Sequence, residues 1–204
     1  DYTGALRVLN ATLRNCDQDA VRDEIANVVT AWYRYVIRRR SSRDLATFLS
    51  TISSQDLRAQ DRDRVSGYLT NVTSRLLSVY VGGEDYRSAH RICRGYSSIA
   101  RRTFAMRYYC GRSANEVQAY GAAIGAFSYM LDNWDEDQTY ITWDETATSL
   151  QRLYLRTTRF SEGFELSKRL VLREVTGRLK AALLLPLLTV PQVLVIGWAL
   201  NAGG

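Results

Sequence analysis

Residues 85–109 read Asp85-Tyr-Arg-Ser-Ala-His-Arg-Ile-Cys-Arg-Gly-Tyr-Ser-Ser-Ile-Ala-Arg-Arg-Thr-Phe-Ala-Met-Arg-Tyr-Tyr109. At about 100° per residue, one helix over this stretch gathers Arg87, Arg91, Arg94, Arg101 and Arg102 within roughly a third of its circumference. The opposite side carries Ala89, Ile92, Cys93, Tyr96, Ile99, Ala100, Thr103 and Phe104, an apolar face of the same period. Such a helix is anchored by its back and presents a line of guanidinium groups. Each group is a planar fork of donors matched to phosphate and permanently charged. The rest of the chain shares this preference: of 27 basic residues only Lys168 and Lys180 are not arginine.

The sequence on either side has the same helical period. Thr3 is a candidate cap for a short helix with Leu6, Leu9 and Leu13 inward. Asp17 or Asp19 opens a longer one with Val21, Ile25, Val28, Trp32 and Val36 on one face, ending in Arg38, Arg39 and Arg40. Cations there suit the negative end of the helix dipole. A short helix through Leu45, Phe48, Leu49 and Ile52 follows, then one with Val65, Leu69, Val72, Leu76 and Val79 that Gly82-Gly83 stops. Beyond the arginine helix, Gly111 is a stop and Ser113-Ala-Asn-Glu116 a capping box for a helix with Val117, Tyr120, Ile124, Phe127 and Leu131. The acidic stretch Asp132–Asp137 reads as a loop. Thr142-Trp-Asp-Glu145 is a second capping box, before Leu150, Leu153 and Tyr154. A last amphipathic run spans 163–180. No alternating run long enough for a sheet occurs, so the expectation is an all-α bundle of about six to eight helices.

Composition narrows the chemistry. A single histidine, His90, removes most acid–base and metal schemes. No phosphate loop or nucleophile elbow is present, because Gly82-Gly83 lacks the following Lys-Ser/Thr and Gly111-Arg-Ser113 has no strand before it. The acidic cluster lacks EF-hand spacing. The reading is therefore no catalytic residues, no metal and no cofactor. Cys16, Cys93 and Cys110 form an odd, widely spaced set without a CxxC pair, which reads as buried, reduced thiols. The sequons at Asn10 and Asn71 fall inside helical patterns and are set aside.

From Ala181 to Gly204 the chain has no charge, and Pro186 and Pro191 interrupt it. Residues 1–180 thus read as an all-α body and 181–204 as an apolar C-terminal arm or helix. Three roles stay open for the arm: a membrane anchor, a core helix of the same domain, or a segment covered by a neighbouring subunit.

The segment Ala89-His-Arg-Ile-Cys-Arg-Gly-Tyr-Ser97 resembles the Leu-Arg-x-Phe/Ile-Cys-x-x-Tyr-Ala segment of coat proteins of flexible filamentous plant viruses, the potexviruses, carlaviruses and relatives. Gly125-Ala-Phe-Ser-Tyr-Met130 stands at nearly the distance at which that family has Ala-Ala-Phe-Asp-Phe-Phe, and Thr142–Glu145 occupies the place of its next capped helix. The similar stretch spans residues 87–155. The resemblance implies a pocket for a nucleotide of single-stranded RNA, formed by Arg91, or Arg87 by a one-turn shift, with an acid. The acid's position is Ser128 here, with Asp132 one turn later.

Together these features lead to the expectation of a structural protein that polymerises helically around nucleic acid, a viral coat or nucleocapsid protein located in the virion. Arg87, Arg91, Arg94, Arg101 and Arg102 would line the strand, and Arg38, Arg39, Arg40 and Arg43 form a second candidate patch. The expected partners are nucleic acid, with RNA slightly favoured over DNA, and other copies of the chain. The alternative is a helical regulatory protein held on a membrane through 181–204.

Overall fold

The computed structural model describes residues 1–13, 18–55, 59–134 and 141–184. Ten helices are described: α1 (Tyr2–Thr12), α2 (Gln18–Arg39), α3 (Ser42–Ile52), α4 (Ala59–Gly82), α5 (Tyr86–Gly95), α6 (Ser97–Ala100), α7 (Phe104–Glu116), α8 (Tyr120–Asp132), α9 (Trp143–Arg156) and α10 (Phe160–Leu184). No strand occurs among the described residues, so the all-α expectation holds. The chain divides into two compact units, 1–157 and 158–204.

In the first unit, the periodic apolar residues of α1–α4 make one core. Leu6, Ile25, Val29, Trp32, Val36, Leu45, Phe48, Leu49, Ile52, Val65, Val72 and Leu76 are buried together, joined by Ile99. The Trp32 ring meets Phe48 edge-on at 5.2 Å between centroids, and Tyr2 stacks on Trp32 at 5.9 Å. Val79, on the same sequence stripe, is exposed. A smaller cluster of Leu77, Val81, Ala89 and Met106 joins α4 to α5 and α7. On the other side, Ala123, Ile124, Phe127, Met130 and Leu131 of α8 are buried, as are Trp143, Ala147, Leu150 and Leu153 of α9. α8 packs between α7 and α9.

The expected single helix over 85–109 is corrected: it is cut into α5, α6 and α7. Tyr96 leaves helical geometry (φ −122°, ψ 41°) after Gly95, the residue least costly to take out of a helix. Thr103 is extended (φ −125°, ψ 152°) and its hydroxyl accepts from the Met106 N–H, capping α7. A disulfide joins Cys93 to Cys110 with their Cα atoms 5.7 Å apart. In a continuous helix those positions would lie about 25 Å apart. The expectation of reduced thiols therefore fails for this pair, and Cys16 lies outside the described residues. Closing a loop of this length contributes about 3 kcal/mol to stability on a chain-entropy account.

Gly111 does not stop a helix. It sits inside α7, and the expected capping box Ser113–Glu116 is that helix's last turn, with the buried Ser113 hydroxyl donating to the Cys110 carbonyl at 3.0 Å. α7 ends through Gln118, which takes the left-handed conformation (φ 63°), and α8 begins at Tyr120 with no side-chain cap. The helix starting with Leu6 is capped by Asp1, which accepts from the Gly4 N–H at 3.1 Å, rather than by Thr3.

Two other signals are found as expected. α4 ends at Gly82, although the left-handed residue of the turn is Glu84 (φ 59°). The Thr142 capping box is complete: its hydroxyl accepts from the Glu145 N–H at 3.1 Å, and the Glu145 carboxylate accepts from the Thr142 N–H at 3.0 Å. Thr142→Ala is expected to cost about 1 kcal/mol, read as a lower midpoint in urea unfolding with an unchanged slope.

In the second unit, α10 begins ahead of the expected Gly163 and carries the ion pair Lys168–Glu165 (2.8 Å), while Arg159, just before its first residue, pairs with Glu162 at 3.9 Å. It runs into the first residues of the uncharged arm; the rest of that arm, 185–204, lies outside the described residues, as do Asp135–Asp137 of the acidic stretch. No described helix is long and apolar enough to cross a membrane.

Candidate nucleic-acid interface

The break between α5 and α7 redistributes the arginines. Arg87, Arg91 and Arg94 stay on α5, while Arg101 and Arg102 stand on the turn before α7, and all five are exposed. They do not share one environment. Arg102 reaches back to α4, where its Nη1 donates to the Ser66 carbonyl (3.2 Å), the Thr70 hydroxyl (3.0 Å) and the Ser66 hydroxyl. Its guanidinium braces the turn.

Arg87 lies in a recess of about 530 Å³ with Glu84, Asp85 and Glu116. Asp85 is the N-cap of α5. Its carboxyl is held below the usual range by hydrogen bonds from the Ser88 side chain and backbone, with the Arg91 charge adding to them. Three carboxylates beside Arg87 make that end of α5 a poor seat for phosphate.

Arg94 and Arg101 open instead on a cleft of about 700 Å³ between α5, α7 and α8. Its wall includes the Cys93–Cys110 disulfide, His90 and a third cation, Arg107. Its floor is the small-residue face of α8, Gly121, Ala122, Gly125 and Ala126, with Tyr129 at the edge. The Arg107 guanidinium sits 3.6 Å from the centre of the Tyr129 ring, a close cation–π contact. Burial pushes its pKa down, Tyr129 opposing and Arg101 reinforcing that shift, and a guanidinium starting so high stays charged at neutral pH. No Asp or Glu lines the cleft among the described residues, and no ion pair engages Arg94, Arg101 or Arg107 there.

His90 has its Nδ1 buried without a hydrogen-bond partner among the described residues. Burial, and then the Arg94 charge, hold its pKa below 6.5, so it is neutral at pH 7. As pH falls through the ordinary histidine range, the unfolded chain takes up a proton that folded His90 resists. Acidification there lowers stability.

Sequence reasoning missed Arg107 and Tyr129. On one continuous helix Arg107 would lie about 200° from Arg87, on the apolar side; only the interruption of that helix brings it to the cleft. The tyrosines of 85–109 pack inward. Tyr96 packs on the α1–α4 core and Tyr109 on the Leu77–Met106 cluster. Tyr108 lies 5.9 Å from Phe127, and burial raises its pKa. Tyr129 is the exposed aromatic at the cleft.

The pocket residues implied by the plant-virus resemblance do not meet here. Arg91 is absent from the cleft lining, as are Ser128 and Asp132, and Ser128 Oγ lies 3.4 Å from the Tyr154 hydroxyl.

The second patch sits at the α2–α3 corner. Arg38 and Arg39 end α2, Arg40 turns the chain with φ 55°, and Arg43 lies in the first turn of α3. All four are exposed. Arg39 donates to the Tyr35 hydroxyl at 2.7 Å and lies 5.3 Å from its ring centre. No group of three or more metal-ligating side chains occurs among the described residues. Family models, curated proteins and solved structures give no match to this chain.

Proposed function

We propose that this protein binds nucleic acid through its phosphate backbone and polymerises along it, as the coat or nucleocapsid subunit of a helical virion. The observation that carries this reading is the cleft of Arg94, Arg101 and Arg107: three guanidiniums around one opening, with no carboxylate among its described lining residues. Guanidinium groups so placed accept phosphodiesters without reading bases. The exposed Tyr129 ring and the flat α8 floor suit an unpaired base better than a duplex, which favours a single strand, RNA ahead of DNA. Few contacts per subunit suffice, because polymerisation along the strand multiplies them. The disulfide fits a protein that works outside a reducing cytosol, as a virion protein does.

The test is binding of the purified protein to a single-stranded oligonucleotide across a salt series, with negative-stain images of the same samples. Three cleft contacts give a slope of about −2 in log K against log salt for each subunit bound, together with rods or filaments. A salt-independent, persistently monomeric protein contradicts the reading. A protein that instead partitions into liposomes, and loses this on removal of 181–204, favours the membrane-held alternative.

A further inference from the structure

We propose that the Cys93–Cys110 disulfide is an exchange site for an anionic low-molecular-weight thiol, whose reaction unfastens the arginine cleft. Three observations meet at this bond. Both cysteines line the cleft and are half-buried rather than sealed in the core. Arg94, Arg101 and Arg107 surround the same space with no acid among the described lining residues. The bond is also the covalent tie between α5 and α7, closing the loop that carries all three arginines.

The chemistry follows from charge. A small thiolate attacks one sulfur, forms a mixed disulfide with it and expels the other cysteine as thiolate. A second small thiol then displaces the remaining protein sulfur. Two electrons pass from the two small thiols, which leave joined as their own disulfide, and their two protons end on Cys93 and Cys110. Nearby guanidiniums favour each step: they concentrate an anionic reagent and stabilise the departing thiolate. Once open, α5 is no longer tied at Cys93 to the end of the second turn of α7. The segment 85–109, whose period suits one continuous helix, is released from the fold-back that places Arg107 opposite Arg94.

The loss of nucleic acid on opening rests on the function proposed above, whereas the exchange itself does not. The experiment measures reduction of the intact protein by glutathione (anionic), 2-mercaptoethanol (neutral) and cysteamine (cationic), each rate corrected for its thiolate fraction. Alkylation and peptide mapping separate Cys93 and Cys110 from Cys16. The expected result is glutathione ahead of cysteamine by about tenfold at low ionic strength, shrinking towards parity in ~1 M salt. Rates that ignore reagent charge, or a bond that opens only in denaturant, overturn the proposal. A saturating single-stranded oligonucleotide should slow glutathione by a similar factor, and the reduced protein should bind it about tenfold less tightly. If charge ordering is found but the oligonucleotide neither shields the bond nor loses affinity on reduction, the exchange site stands and the nucleic-acid reading fails.

Discussion

Replacing Arg94, Arg101 and Arg107 together by glutamine is expected to weaken oligonucleotide binding about a hundredfold at ~0.1 M salt. Each guanidinium, partly exposed, supplies about 1 kcal/mol of phosphate contact, and about 3 kcal/mol is two decades in affinity. The salt slope should flatten by about 2, because three fewer counterions are released from a single strand. Fluorescence anisotropy across a salt series gives both quantities. Arg102→Gln is the matched comparison. It removes one nearby positive charge, but that guanidinium is committed to Ser66 and Thr70, so affinity should change less than about threefold while stability falls by up to ~1 kcal/mol. Equal losses in both variants would mean that the arginines act as a diffuse basic surface.

Gly111→Val is expected to lower stability by about 3 kcal/mol, a drop in Tm on the order of 10 °C for a chain of this size. An ideal Cβ at Gly111 would lie 2.7 Å from Cε1 and 2.8 Å from Cζ of Phe127. That ring cannot swing aside freely: Phe127 is only 2% exposed, with Tyr108 beside it. Alanine would meet the same contact, offset by roughly 1 kcal/mol of helix propensity. Valine adds two branched methyl groups, and its helix propensity offsets less than that of alanine. Because this contact joins α7 to α8, separating the two helices also moves the cleft floor away from Arg107. Binding should fall in the variant even where it remains folded. A Tm equal to that of the unaltered protein would show that α7 and α8 meet differently.

How much of this was legible in the sequence depends on where local preference and tertiary packing agree. In α3 the spacing of Leu45, Phe48, Leu49 and Ile52 named the buried residues in full, because one helix face meets one core. The Thr142 box was equally plain, since a capping box is a local hydrogen-bond pattern. Over 85–109 the two levels disagree. The period suits one helix, and the break comes from a cross-link between residues 17 apart and from burial of Ile99, Phe104 and Met106 against several elements. Gly95 and the Thr103 cap mark where the helix is cut, but no short-range signal encodes the cross-link or that burial. Gly111 misled for a related reason: glycine stops helices often, but here its missing side chain serves a neighbouring ring.

The candidate site follows the same division. Arg94 and Arg101 were readable as members of a basic stripe. Of the acids around Arg87, Glu84 and Asp85 stand just ahead of it in the sequence and only Glu116 comes from another helix, whereas the bracing role of Arg102 depends wholly on residues of α4. Arg107 and Tyr129 join the site only through the fold-back of α7 on α5 and its packing on α8. The basic corner at Arg38–Arg43 was legible in full as a charge run, and it remains the rival location for the strand.

Ultraviolet cross-linking of the protein to a single-stranded oligonucleotide, followed by peptide mapping, separates these two locations directly. If the strand lies in the arginine cleft, adducts concentrate on Tyr129 and on peptides spanning Arg94 to Arg107, and they disappear in the triple glutamine variant. Adducts confined to the Arg38–Arg43 corner, or none above background in a protein that remains folded, would contradict the account.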